Sequence, residues 1–204
     1  MVQKSDKRAA ELFGDGTTPQ NTRDRLIEAA TNLYYECGIH AVGLDRILAE
    51  VGVTKTTFYN HFESRDELAV EVIRRRDKWE IETSFNDIEE RADGDPKQML
   101  LTLFDVLDEW FTGSDYRGCL FINAAFEFPN PHDPVHQAAA AHKRAQREAI
   151  RKTAKRAGVA DPAALADRWM VLMEGALTVR QEMQDQTAAK TAKQMAERFL
   201  EEAF

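Results

Sequence analysis

Long apolar runs are missing from this chain: no stretch approaches the roughly 18–20 residues a membrane span needs, so no membrane partner is expected. Cysteine is scarce. The two present, Cys37 and Cys119, stand in unrelated settings, which excludes a disulfide framework and fits a reducing cytoplasm. The first 20 residues are polar and carry no hydrophobic core of the signal-peptide kind, so the expected location is cytoplasmic. Strand-type patterning is nearly absent; the one dense β-type run, Cys119–Ile122, is too short to build a sheet. Positive charge is also lacking. The net charge of −8 excludes a basic surface that coats nucleic acid. It divides as 12 Lys and Arg against 14 Asp and Glu over residues 1–80, and 15 against 21 over 81–204. No Ser/His/Asp set, nucleotide-binding loop or paired-carboxylate arrangement is present, so no enzyme and no cofactor is expected.

What is present is helical periodicity. The chain is 204 residues long and 43% hydrophobic, enough for a core shared by one or two domains. Gly14, Gly16 and Pro19 mark residues 1–20 as a flexible arm. From Thr22, the spacing of Leu26, Ile27, Ala30, Leu33, Tyr34 and Cys37 predicts an amphipathic helix, capped by Asn21 or Thr22 and stopped at Gly38. That places Cys37 on its apolar face. Further helices are expected over 44–51 and 54–61, and from a Ser64–Glu67 capping box to about Glu80 or beyond. The remainder reads as helices over 97–112, 118–127, 135–157, 162–184 and 188–203, between glycine- and proline-bearing breaks. The fold class is all-α: a three-helix N-terminal domain over 21–66 and a C-terminal helical domain over 67–204, about nine helices in all.

The run Val42–Phe62, VGLDRILAEVGVTKTTFYNHF, concentrates polar side chains on its second helix. Leu44, Ile47, Leu48 and Val51 are expected to pack on Val53, Phe58 and Phe62 and on the first helix, with Gly52 allowing the turn through a positive φ. This leaves Thr54, Lys55, Thr56, Thr57, Tyr59, Asn60 and His61 at or near the surface of a helix-turn-helix, whose second helix enters the DNA major groove. The motif Thr-Lys-x-Thr-Phe-Tyr-x-His-Phe followed by Glu-Ser-Arg-Asp-Glu-Leu resembles the DNA-binding domain of the TetR family of bacterial regulators. The resemblance covers residues 21–68. It implies phosphate contacts from Tyr59, His61 and Arg65, and base or phosphate contacts from Lys55, Thr56 and Thr57. Three positions depart from the family's pattern: Gly43 stands where Ser or Thr often caps the second helix, Leu48 where Ala is common, and Thr56 where Gly is common.

The segment RGCLFINAAFEF (117–128) carries a second resemblance, to the family's helix that links the DNA-binding half to a ligand cavity. The resemblance implies an apolar pocket lined from Phe104, Trp110, Phe111, Phe121, Phe126, Trp169, Met170 and Met173. Asn123, Glu127, His136 and Glu174 are the polar groups expected to orient a ligand. The opposing reading makes the aromatic and Met stripes plain core. Cys119 reads as a buried small hydrophobe, the alternative being an electrophile or oxidant sensor. His132 and His136 do not make a metal site, since Pro134 lies between them and no further ligands are near. Arg74–Arg76 read as a solvated face. The dimer face is expected on the last two helices, through Leu165, Leu172, Ala176 and Val179 and through Met195, Phe199 and Leu200. The expected function is a homodimeric repressor, released from a pseudo-palindromic double-stranded operator by a small apolar or amphipathic effector. The alternative is an activator, or a DNA-bound adaptor whose effector is a protein.

Overall fold

A computed structural model describes residues 19, 21–114 and 116–203. The arm expected over 1–20 lies, apart from residue 19, outside the described residues, as does Phe204. Nine helices and no strand are found among the described residues: α1 Thr22–Cys37, α2 Leu44–Val51, α3 Lys55–Tyr59, α4 Arg65–Arg91, α5 Pro96–Thr112, α6 Leu120–Glu127, α7 Pro134–Arg156, α8 Pro162–Met183 and α9 Ala188–Glu201. No helix among them is long and apolar enough to cross a membrane. The chain divides into two compact units. One holds residues up to Glu80 together with Cys119–His142; the other holds Ile81–Gly118 and the chain from Lys143 onward. The divisions fall within α4, between α5 and α6, and within α7.

In the first unit each early helix is started and stopped by local chemistry. The Asn21 side chain accepts the Asp24 N–H at the head of α1. Gly38, at φ 86°, ends that helix with its N–H on the Tyr34 carbonyl. Helix α2 starts at Gly43, which offers no side-chain cap, and stops at Gly52 in the left-handed conformation (φ 74°, ψ 39°). Arg25 of α1 reaches across to the Val51 carbonyl at 2.6 Å and satisfies one of the last acceptors of α2. Thr54 caps α3 through the Thr57 N–H. Ser64 accepts the Glu67 N–H at 3.0 Å, while the Glu67 carboxylate returns to the N–H of Glu63, one residue earlier than the capping box requires.

The core of this unit contains Leu26, Ile27, Ala30, Ile47, Phe58, Phe62, Leu68 and Ile73, all buried, with Leu44 and Val53 half-buried at its edge. Two expectations change here. Cys37 is exposed instead of lying on the apolar face of α1, because the buried stripe ends at Tyr34 and Cys37 is the last residue of the helix. The Arg74–Arg76 run is not uniformly solvated: Arg75 pairs with Asp24 at 3.1 Å, and Arg76 lies over the Trp79 ring and bonds to Glu80.

In the second unit, α9 packs on α5 and α8. Its buried residues are Ala188, Ala189, Ala192, Ala196 and Leu200, small enough for close helix approach. Trp169 of α8 is fully buried, stands 6.1 Å from the Phe104 ring, and donates its indole N–H to the Leu100 carbonyl at 2.9 Å. Arg180 is the buried charge here. It donates to the Phe111 carbonyl at 3.0 Å and lies over the Tyr116 ring. Proline opens both α5 and α8 behind Asp95 and Asp161 caps. Trp169→Ala removes a buried aromatic and its hydrogen bond together, and is expected to destabilise the protein by about 3–5 kcal/mol in urea unfolding; a loss below about 1 kcal/mol would show that the α5–α8 core is not built around it.

Candidate nucleic-acid interface

Helix α3 is five residues long, too short to hold its shape unaided. Its position comes from Phe58 and Phe62, which stack against each other at 5.5 Å and are buried. With these two turned inward, Lys55, Thr56, Tyr59, Asn60 and His61 are exposed, and Thr57 is half-buried. Asn60 and His61 lie in the turn that follows the helix, not within it as expected, because the chain bends at Asn60 to bring Phe62 into the core. Tyr59 is 58% exposed, held edge-on to Phe58. The hydroxyls of Thr54 and Thr57 lie 3.0 Å apart and, with the capping bond to the Thr57 N–H, serve the helix terminus.

The formal charges of this head balance. Residues 42–65 contain three cations, Arg46, Lys55 and Arg65, against three carboxylates, Asp45, Glu50 and Glu63. Each cation is already engaged. Lys55 meets Asp45 of α2 at 2.9 Å, and the hydrogen bond to Asp45 holds the Lys55 ammonium above its ordinary pKa. Arg46 donates to the Cys37 sulfur at 3.3 Å. Arg65 reaches the Val42 carbonyl at 3.4 Å and Asp66 at 3.5 Å, which seats it beside the start of α2. Asp45 was not among the residues singled out from the sequence. Its position ten residues before Lys55, across a helix-turn-helix, was the available signal.

The residues assigned to a ligand site fall into two groups. Phe104, Phe111, Trp169 and Met173 are buried in the second unit; Trp110 and Met170 are half-buried there, and Glu174 pairs with Lys143 at 2.7 Å. In the first unit, Phe121 is buried flat against the His142 ring, 3.5 Å between centroids. Asn123 is half-buried, and His136 holds the Phe128 carbonyl at 2.8 Å. Phe126 is 80% exposed, because it falls on the face of α6 opposite Phe121 and Ala124. Both oxygens of Glu127 are taken by backbone N–H groups of Ile39 and His40, so it orients no ligand in this arrangement. Cys119 is buried at the N-terminus of α6. Among the described residues no group of three His, Cys, Asp or Glu is placed to hold a metal.

Of the residues assigned to a dimer face, Leu165, Ala176 and Leu200 are buried in their own unit, where they serve the α5–α8–α9 core. Leu172, Val179 and Phe199 are half-buried, with Arg168 lying over the Phe199 ring. Met195 is 49% exposed and Val171, not singled out from the sequence, is 72% exposed. The outward face of α8 therefore runs one position away from the stripe the sequence suggested.

Comparison with known proteins divides the chain differently, placing residues 119–142 with the C-terminal part. The model of bacterial regulatory proteins of the tetR family matches residues 26–72, and that of the tetracyclin repressor-like C-terminal domain matches 96–196. The chain is similar to the HTH-type transcriptional regulator YjdC of Escherichia coli, 33% identical over 104 residues, which are 51% of this chain and 54% of that protein. It is also similar to the HTH-type transcriptional activator FasR of Mycolicibacterium smegmatis, 40% identical over 75 residues, 36% of this chain and 34% of that one. The chain thus spans about half the length, or less, of these curated relatives. A solved TetR-family transcriptional regulator from Streptomyces coelicolor superposes with a TM-score of 0.82 at 26% identity, covering 95% of this chain and 98% of that one. With both of its halves matched and its helices superposed on a solved member, the chain belongs to the TetR family of bacterial regulatory proteins, which are DNA-binding transcriptional regulators and not enzymes.

Proposed function

We propose that this protein is a cytoplasmic, homodimeric repressor that reads a pseudo-palindromic operator with α3 and is released by a small apolar or amphipathic molecule. The observation that carries the DNA part is the presentation of Lys55, Thr56, Tyr59, Asn60 and His61 around a short helix fixed from behind by Phe58 and Phe62. Tyrosine, histidine and threonine at such positions hold phosphates and set the register, while Lys55, Thr56 and Asn60 reach base edges. Arg65, which donates to the Val42 carbonyl beside the start of α2, is placed to supply a contact to the DNA backbone there.

Dimerisation follows from how little one such head can read. A single five-residue helix spans only a few base pairs; two heads related by a twofold axis, about 34–36 Å apart, double the contact. The face proposed for pairing is the outward side of α8 and α9, where Val171, Gly175, Met195 and Phe199 leave apolar surface with room for a second helix. The effector is proposed to engage the aromatic and methionine side chains of the C-terminal half. Because α4 begins behind the reading head and continues to Arg91, displacing its later turns would move the head along one continuous helix. A second reading, favoured by the relative named as an activator, keeps the fold and the DNA and makes the protein an activator or an adaptor for another protein.

Selection from a random DNA pool is expected to recover an inverted repeat whose half-sites are about one helical turn apart; recovery of no common site would reject the reading. On that site, Tyr59→Ala is expected to weaken binding about tenfold with helicity unchanged, and unchanged affinity would remove α3 from the interface. Asp45→Asn frees Lys55. It should tighten binding to random-sequence DNA and steepen the slope of log K against log salt by about 0.9; an unaltered slope would show that Lys55 meets no phosphate. Val171→Glu places a carboxylate on the proposed twofold face without touching the protomer's core. Monomers in sedimentation are the expected result, and an intact dimer would put the interface elsewhere.

A further inference from the structure

The turn between α1 and α2 is built around a side chain from far along the chain. The Glu127 carboxylate, on the last residue of α6, accepts the Ile39 N–H on Oε1 at 2.9 Å and the His40 N–H on Oε2 at 2.5 Å. Gly38 makes room for it. Its φ of 86° turns the chain so that the next two N–H groups converge, and a Cβ there would stand 3.0 Å from Oε1. The imidazole Nδ1 of His40 lies 3.9 Å from Oε2, and its ring packs 4.4 Å from that of Phe128. The Phe128 carbonyl in turn holds His136 of α7. Two consecutive backbone donors, a glycine that leaves space and a flanking imidazole form a backbone nest, and a carboxylate of the same chain fills it.

Both Glu127 oxygens accept from backbone donors 87 and 88 positions away in the sequence. The turn they grip leads directly into α2, and α2 leads through Gly52 into the helix that faces DNA. We infer that Glu127 is a positioning residue for DNA binding: its carboxylate latches the α1–α2 turn and so sets how α2 and α3 are presented to DNA. The inference rests on the DNA-binding reading above.

The test uses the full chain and the operator recovered by selection, with Glu127→Ala, Glu127→Gln and, as a control for lost stability alone, Ile150→Ala in the other unit. Amide exchange at Ile39 and His40 reports the latch itself. In Glu127→Ala both amides are expected to exchange at least about tenfold faster, and operator affinity to fall about tenfold at temperatures where the protein is fully folded. Glu127→Gln offers one oxygen in place of two, so it should fall between Ala and the native protein, and it decides the matter if the Ala variant fails to fold. Ile150→Ala should lower the melting temperature and leave affinity unchanged. Native affinity in both Glu127 variants, unaltered exchange at the two amides, or an equal loss of affinity in Ile150→Ala would each overturn the latch. A native protein that binds no DNA would overturn the DNA reading and the latch with it, whereas native binding with unaffected Glu127 variants would overturn the latch alone.

Discussion

The burial of Phe58 and Phe62 is the interaction on which the function of this protein depends. A five-residue helix has no stability of its own, since nucleation outweighs the few hydrogen bonds it closes. The two phenyl rings supply what propensity does not. They pack into a core that includes Leu26, Ile27 and Ile47, and by occupying the inward positions they determine which side chains remain outside. The apolar pattern of this segment thus selects its polar surface. Gly52 is part of the same constraint, because only a left-handed residue at that point turns the chain sharply enough to bring Phe58 back onto α2.

The head built in this way carries no surplus of positive charge. Its three cations are engaged by Asp45, by the Cys37 sulfur, and by the Val42 carbonyl with Asp66. An approaching phosphate therefore competes with existing partners, and the long-range attraction that draws basic proteins onto any DNA is weak. Exposed ion pairs such as Lys55–Asp45 contribute little to stability. In the proposed reading their effect is on selectivity, because a head that gains little from phosphate alone depends more on a correct set of base edges. The overall charge of −8 acts in the same direction.

The helix-turn-helix was legible in the sequence because its determinants are local. Gly52, Thr54, Phe58 and the Ser64–Glu67 pair act on neighbours within a few residues, and the helix spans from α4 onward follow the glycine and proline breaks closely. What escaped reading was set by distant partners. Cys37 continues the apolar spacing of α1 but lies past the point where the core ends. The stripe Leu165, Trp169, Leu172, Ala176 and Val179 has helical periodicity, yet periodicity does not say what covers it; Leu165, Trp169 and Ala176 are buried within their own unit, Leu172 and Val179 are half-buried, and Val171 beside them is exposed. Glu127 looked like a polar group for a ligand because nothing near it in sequence reveals the two backbone donors it serves.

That last contact also orders events during synthesis. Residues 21–64 contain the helices of the reading head, but the turn at Ile39 and His40 is completed only by a residue made 87 positions after His40. At about 5–20 residues per second, the ribosome takes on the order of 4 to 17 seconds to reach it. For that interval the Glu127 carboxylate is not there to accept from these two amides. The reading head is therefore made before the residue that completes its turn.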